Sequence, residues 1–281
     1  MVQPQKIGIV IPIYKEIPTS NELKALEQCC CVLNRYPITT ISPSTLSLEN
    51  YTVVFERYKI HHIPIHFECE YFSSVRGYNK LMLSKFFYES FTEFDNILIY
   101  QLDAFVFRDE LTEWCEKEYD YIGAPWFEGY KTYEEGRKLY KVGNGGFSLR
   151  KVSAFLATFD KPMPFAILPF YLKNIRMKGA FSMIIKLAKL LLSILFTKKN
   201  VDYCLANLTD DRINEDCFWS DGLSSTCLTL KVPDVDTAAH FCFEKSPSHL
   251  FALIGNKLPF GCHAWEKYEP EFWDSIINIK T

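Results

Sequence analysis

The sequence predicts an α/β fold, with a mostly parallel sheet covered by helices on both faces. Three observations carry this. Two Ile-rich runs, KIGIVIPIY (6–14) and NILIY (96–100), read as strands buried on both faces. Helical patterns alternate with them along the first half of the chain. Polar residues with chemical potential follow the strands directly, at the edge where open sheets of this kind bind ligands.

The elements follow in order. KIGIVIPIY is the first strand. Thr19 to Asn34 is helical: Ser20 is a cap, and Leu23, Leu26, Cys30 and Leu33 share one face. ITTISP (38–43) is a second strand closed by Pro43, and residues 60–68 suggest a third strand or an extended loop. GYNKLMLSKFFYESF (77–91) reads as a second helix, with Leu81, Phe87 and Phe91 among its apolar positions. NILIYQLDAFVF (96–107) is the next strand, and Asp109 is placed to cap a helix in DELTEWCEKEY. The second half is less regular. It holds DYIGAPW (120–126), a Gly-rich loop KVGNGGFSLRK (141–151) leading into a short strand, a polar tract (207–220) and GCHAWEKYEP (261–270).

Composition sets bounds. The chain has 281 residues, 48% of them hydrophobic, which suits one large domain or two small ones. A net charge of −3 gives no global sign of nucleic-acid binding. There are ten cysteines, three of them consecutive (Cys29, Cys30, Cys31), and no CxxC pair, so neither a disulfide framework nor a zinc ribbon is expected. MVQPQKIGIVIPIY lacks the parts of a signal peptide. The expectation is a reduced, cytoplasmic protein with mostly buried thiols.

Residues 161–199 stand apart. They carry eight Lys and Arg and no acidic residue, so the rest of the chain has a net charge of −11. Within them, Ser182, Lys186, Lys189, Ser193 and Thr197 recur at helical spacing on an otherwise apolar segment. The segment is too short and lysine-bearing for a membrane span. It fits a helix that lies in a membrane interface or packs on a partner, or a core helix whose lysines snorkel to water.

Four segments hold candidate chemistry. Asp103 ends a core strand, where a carboxylate is costly unless paired or bound to a cation; it is a metal ligand, a cap or half of a salt bridge. Gly143, Gly145 and Gly146 allow positive φ or close approach to the backbone, or simply form a tight turn. The loop is neither a P-loop nor a dinucleotide fingerprint. Glu215 and Asp216 beside Phe218 and Trp219 form a general base with a stacking wall, or a helix cap. His263 is a metal ligand or a structural histidine. His61, His62 and His66 read as structural or surface residues.

The segments YQLDAFVFRDEL, DYIGAPW, VGNGGFSLRKV, NEDCFW and LPFGCHAW, in that order, resemble an uncharacterised bacterial domain family grouped with GT-A-type glycosyltransferases and associated with surface-polysaccharide biosynthesis. The resemblance covers most of the chain and leaves out the basic stretch. It implies a single GT-A-like domain (1–281), with a nucleotide-binding half (about 1–110) and an acceptor half (about 111–281) that carries a basic amphipathic insertion at 161–200. It also implies a divalent cation, Mn²⁺ or Mg²⁺, held at a D-x-D motif and bridging a nucleotide-sugar diphosphate. Here that motif reads Gln101-Leu102-Asp103, so the first Asp is a neutral Gln. By the same resemblance, Asp103 and His263 are the metal ligands, and Gln101 contacts the ribose. Arg76 and Lys80 contact phosphates, and Pro12, Tyr14 and Glu16 lie near base and ribose. Gly145 and Gly146 approach the donor sugar, Trp126 and Trp219 stack on the acceptor, and Asp216, with Glu215 as substitute, is the base of an inverting transfer. The partners implied are a nucleotide-sugar donor and a glycan or lipid-linked acceptor, with the enzyme cytoplasmic or peripheral on the inner membrane face. Two other readings stand beside this one: a nucleotide-sugar binding module or inactive transferase, and a metal-dependent hydrolase.

Overall fold

A computed structural model of the chain describes residues 5–161, 214–222 and 229–277, together with 184, 188, 201, 202 and 205. The first half is a βαβαβ run: β1 (Ile7–Pro12), α1 (Ser20–Val32), β2 (Ile38–Pro43), α2 (Glu49–Arg57) and β3 (His62–Phe67). Then come α3 (Val75–Met82), α4 (Lys85–Glu89), β4 (Asn96–Tyr100), β5 (Ala104–Val106) and α5 (Leu111–Glu116). Four strands follow, β6 (Tyr121–Ile122), β7 (Ala124–Phe127), β8 (Leu139–Gly143) and β9 (Phe147–Lys151), and then α6 (Val152–Phe159). After a short helix Glu215–Cys217, the chain forms helix Val235–Phe241, β10 (Cys242–Phe243), helix Pro247–Leu253, β11 (Gly261–His263) and helix Pro270–Ile277.

The main sheet has six strands in the order β3-β2-β1-β4-β9-β6. The first four are parallel, with Ile9 opposite Ile38, Ile38 opposite His62 and Ile7 opposite Asn96. β9 enters antiparallel beside β4 and pairs antiparallel with β6. The Ile-rich strands serve both faces at once. Ile9 and Ile11 join Leu26, Cys30, Tyr51 and Phe55 under α1 and α2. Val10, Ile97 and Ile99 join Leu81, Phe87 and Phe155 under α3, α4 and α6. Each such side chain withdrawn from water contributes about 1.5–3 kcal/mol. A third cluster, with Phe105, Phe107, Leu250, Trp265 and Trp273, packs the chain's end against β5.

Four local expectations are corrected. Thr19, not Ser20, caps α1: its hydroxyl accepts from Glu22 N while Glu22 Oε2 accepts from Thr19 N, a capping box. The helix expected over 77–91 is two helices, because Ser84 turns extended and its hydroxyl donates to Leu81 O at 2.6 Å. Glu110 is the cap residue of α5; Asp109 Oδ1 accepts from Leu111 N only at 3.4 Å. Helix α2, absent from the expectation, is the crossover that makes β3 parallel to β2.

Cys29 and Cys30 are buried on α1 and Cys31 is exposed; these thiols are free. Burial pushes the Cys30 thiol up to about 12, with the Glu27 charge adding. The basic stretch at 161–200 lies, but for a few positions, outside the described residues. Among the described residues, no helix is long and apolar enough to cross a membrane.

Candidate metal and nucleotide site

The parallel strands β1 and β4 bring their carboxyl ends together at one rim. There β4 gives way to Gln101-Leu102-Asp103, a turn closed by Ala104 N donating to Gln101 O at 2.8 Å. β5 then pairs antiparallel with β11, setting Ala104 opposite His263. That register delivers His263 to the rim across 160 residues of sequence. Its Nε2 lies 3.2 Å from Asp103 Oδ1 and 3.3 Å from Gln101 Oε1. On the other side of the ring, Nδ1 lies 3.6 Å from Glu244 Oε1. Trp126 Nε1 donates to the second oxygen of Glu244 at 3.2 Å.

Gly146 closes this cluster from the loop just before β9. Its carbonyl accepts from Gln101 N at 2.8 Å. A Cβ there would sit 2.0 Å from His263 Nε2 and 2.7 Å from Gln101 Oε1, so only glycine leaves the donors room. Gly145 is bare for a related reason: a Cβ would sit 1.9 Å from Glu215 Oε1. The positive φ of the loop falls on Asn144 (75°), while Gly145 and Gly146 supply the close approach.

The electrostatics are strongly coupled. Burial alone would lower the pKa of His263, but Asp103 and then Glu244 outweigh it and raise it to about 10. Burial works against ionising Asp103, yet His263 holds its carboxyl below the usual range. Glu244 is likewise held low against its burial, by His263 and then Lys245.

Among the described residues, no group of three or more His, Cys, Asp and Glu side chains is placed to hold a metal ion by itself. The donors that do converge are a carboxylate, an imidazole nitrogen and an amide oxygen, from Asp103, His263 and Gln101, over the bare face of Gly146. Asp103 is 45% exposed, so its side stays open. This donor set fits a divalent cation that takes its remaining ligands from an oxygen-rich molecule.

Beside these donors lies a cleft of about 490 Å³, lined by Pro12, Tyr14, Ser74, Tyr78, Gln101 and Asp103 among others. Tyr14 is 60% exposed, and its hydroxyl donates to Glu22 Oε1 at 3.4 Å. The Tyr78 hydroxyl is buried without a hydrogen-bond partner. Arg76 and Lys80 are exposed on α3, the helix whose first turn lines the cleft. Glu16 is exposed, and its carbonyl accepts from Asn50 Nδ2 at 2.9 Å.

The acidic pair divides into two environments. Glu215 is buried and bonded to the equally buried Arg150 of β9, whose Nη2 lies 2.8 Å from Glu215 Oε1. Arg150 also donates to Tyr88 Oη at 2.8 Å and to Ser148 Oγ at 3.0 Å. Burial raises the Glu215 pKa to about 7, Arg150 pulling the other way. Asp216 is partly exposed, and its Oδ1 accepts from Cys217 N at 2.7 Å. Its pKa is raised by burial and then by the charge of Glu244, which ties it electrically to the His263 cluster.

Two aromatic assignments need correction. Trp219 is 1% exposed, packed among Tyr88, Phe155 and Phe159, so it is core and not a wall for a sugar. Trp126 is buried as well; it faces Tyr130 edge-on at 5.0 Å and spends its N–H on Glu244. Three contributors to the rim went unassigned from sequence: Glu244, Arg150 and the Tyr78 hydroxyl. Glu244 follows a two-residue strand in FCFEKSP, and no spacing marks it.

No curated protein matches the chain in sequence. Solved structures with related coordinates include core-mannan synthase A of Aspergillus fumigatus in an Mn/GDP form. It is 8% identical over 54% of this chain and 61% of that one, with a TM-score of 0.40. The glycosyltransferase GlyE of Streptococcus pneumoniae, as an apo form, is 13% identical over 97% of this chain and 60% of that one, at 0.46. TarS of S. aureus in complex with UDP-GlcNAc is 11% identical over 56% and 48%, at 0.34. The chain thus spans about 60% of the length of the first two. The family described as Protein of unknown function (DUF5672) matches residues 63–263, a range that includes Gln101, Asp103, Gly146, Glu215, Asp216, Glu244 and His263, and the chain belongs to that family.

Proposed function

We propose that the protein is a glycosyltransferase that moves a sugar from a nucleotide-sugar donor to a glycan or lipid-linked glycan acceptor. The observation that carries this is the convergence of Asp103, His263 and Gln101 at the carboxyl end of β4, open to a cleft walled by Pro12, Tyr14 and Tyr78. Asp103 and His263, with Gln101 beside them, are the residues that would hold Mn²⁺ or Mg²⁺. When bound, the cation neutralises the negative charge gathering on a departing diphosphate. Tyr14 offers an exposed ring to the nucleotide base. Arg76 supplies positive charge from the first turn of α3 and Lys80 from its last. Gly145 and Gly146 keep the rim low enough for a sugar to approach.

Asp216 is the general base. It takes the proton of the acceptor hydroxyl as that oxygen bonds to the anomeric carbon and the bond from that carbon to the diphosphate breaks. A single displacement inverts the anomeric centre. Glu215, locked to Arg150, is the less accessible of the pair, which supports Asp216 for the role. The partners proposed are the donor, the acceptor and an anionic inner-membrane surface reached through 176–199, with the protein in the cytoplasm.

Calorimetry with a panel of nucleoside diphosphates, with and without Mn²⁺, tests the reading on wild type and Asp103→Ala. One nucleotide should bind only with metal, and the variant should lose that binding. Binding indifferent to metal and to Asp103 would overturn the cation site. The neutral Gln101 keeps a second reading in play, a donor-binding module without transfer. Asp216→Asn separates the two: a transferase loses turnover with donor binding intact.

A further inference from the structure

Glu244 has no part in the roles assigned so far, yet it stands at the centre of a chain of contacts. Trp126 Nε1 donates to its Oε2 at 3.2 Å, and its Oε1 faces His263 Nδ1 at 3.6 Å. The side chains of Glu244 and His263 are each 14% exposed, so neither ring nor carboxylate rotates freely in water. Nδ1 itself is buried with no hydrogen-bond partner, leaving the Glu244 carboxylate as the acceptor it faces. The Trp126 ring is fixed in turn, because it lies over the bare backbone of Gly143, where a Cβ would come within 1.9 Å of it.

We infer that Glu244 is a positioning residue for His263: facing Nδ1, it makes that the nitrogen that keeps its proton, so that Nε2, beside Asp103 and the cleft, is the one that gives up its proton to a cation. The inference rests on the reading of Asp103 and His263 as cation ligands. An imidazole has two nitrogens, and the hydrogen bond made by one decides which is free to coordinate. Such outer partners orient the ring and make it a stronger donor, and their loss typically lowers metal affinity. Lys245 and Asp216 also act on Glu244 or are felt from it, but the Trp126 bond is what aims its carboxylate at the ring.

The test is Mn²⁺ binding by the full chain together with the nucleoside diphosphate that it binds, followed by calorimetry as Mn²⁺ is titrated in. Wild type, Asp103→Ala, Glu244→Gln and Trp126→Phe are compared, with melting temperatures taken in EDTA. The expected result is loss of binding in Asp103→Ala, a Kd raised about 10- to 100-fold in Glu244→Gln, and a smaller rise in Trp126→Phe. Melting in EDTA is the control on the fold: Glu244→Gln should stay close to wild type, while Trp126→Phe, which empties part of a buried ring's space, should melt somewhat lower. Wild-type Mn²⁺ affinity in Glu244→Gln overturns the inference and leaves the cation site standing. If that variant fails to fold, wild-type affinity in Trp126→Phe overturns it instead. No Mn²⁺ binding by wild type, or undiminished binding by Asp103→Ala, removes the cation site itself and the inference with it.

Discussion

Arg150 holds a full positive charge where water does not reach, and Glu215, Tyr88 and Ser148 are its compensation. Removing one partner of a buried pair strands the other. Arg150→Met is therefore expected to lower unfolding free energy by about 3–5 kcal/mol. Arg150→Met with Glu215→Leu should recover much of that loss, short of the bonds to Tyr88 and Ser148. Urea denaturation of the three proteins checks it; a double variant no better than the single would mean that the charge pair is not what matters there. The same scale shows what the sequence could reveal of the site. Asp103 was legible because a carboxylate interrupts an apolar run. Glu215 and Asp216 were visible as a pair, but nothing in NEDCFW told which one is buried. Trp219 was misassigned because an aromatic beside an acid reads the same whether it faces solvent or the core. Glu244 was not legible, because its importance comes from the pairing of β10 with β11 and from a tryptophan 118 residues away.

Strand β3 is the exposed edge of the main sheet, and His62 anchors its start. The ring stacks on Phe55 at 4.3 Å, and Nε2 meets Thr40 Oγ1 at 2.8 Å. Burial, then the neighbouring His61, lowers its pKa to about 4. An unfolded histidine takes up its proton near pH 6.5. The folded form thus resists a proton that the unfolded form accepts. The stability held through His62 is full above about pH 6.5 and falls away as pH drops toward 4. Urea midpoints at pH 7.5, 5.5 and 4.5 should decline less steeply for His62→Phe than for wild type, and equal slopes would count against this. Among the elements, β1, β2 and β4 were readable because a strand buried on both faces is an unbroken apolar run. Helix α2 was not, because Tyr51, Val54 and Phe55 are strand-favouring types and only their packing on the sheet makes them helical. The break between α3 and α4 turns on a single serine hydroxyl, below the resolution of a periodicity argument.

For the molecule as a whole, charge is unevenly placed along the chain. Eight positive charges fall in residues 161–199 against a remainder of −11. Each basic residue near an anionic leaflet contributes about 1 kcal/mol of attraction. Deleting 176–199 is expected to abolish flotation with anionic vesicles while leaving nucleotide binding intact, and undiminished flotation would place the contact elsewhere. The pairing of Ala104 with His263 has a consequence of another kind, in the order of synthesis. A ribosome making this protein releases strands β1–β4 long before Glu244 and His263 exist. A nascent chain therefore carries Asp103 at an unfinished rim until His263 has been made. The imidazole follows about 160 residues behind Asp103, so the centre is completed only on a chain whose β1–β4 scaffold has already been made.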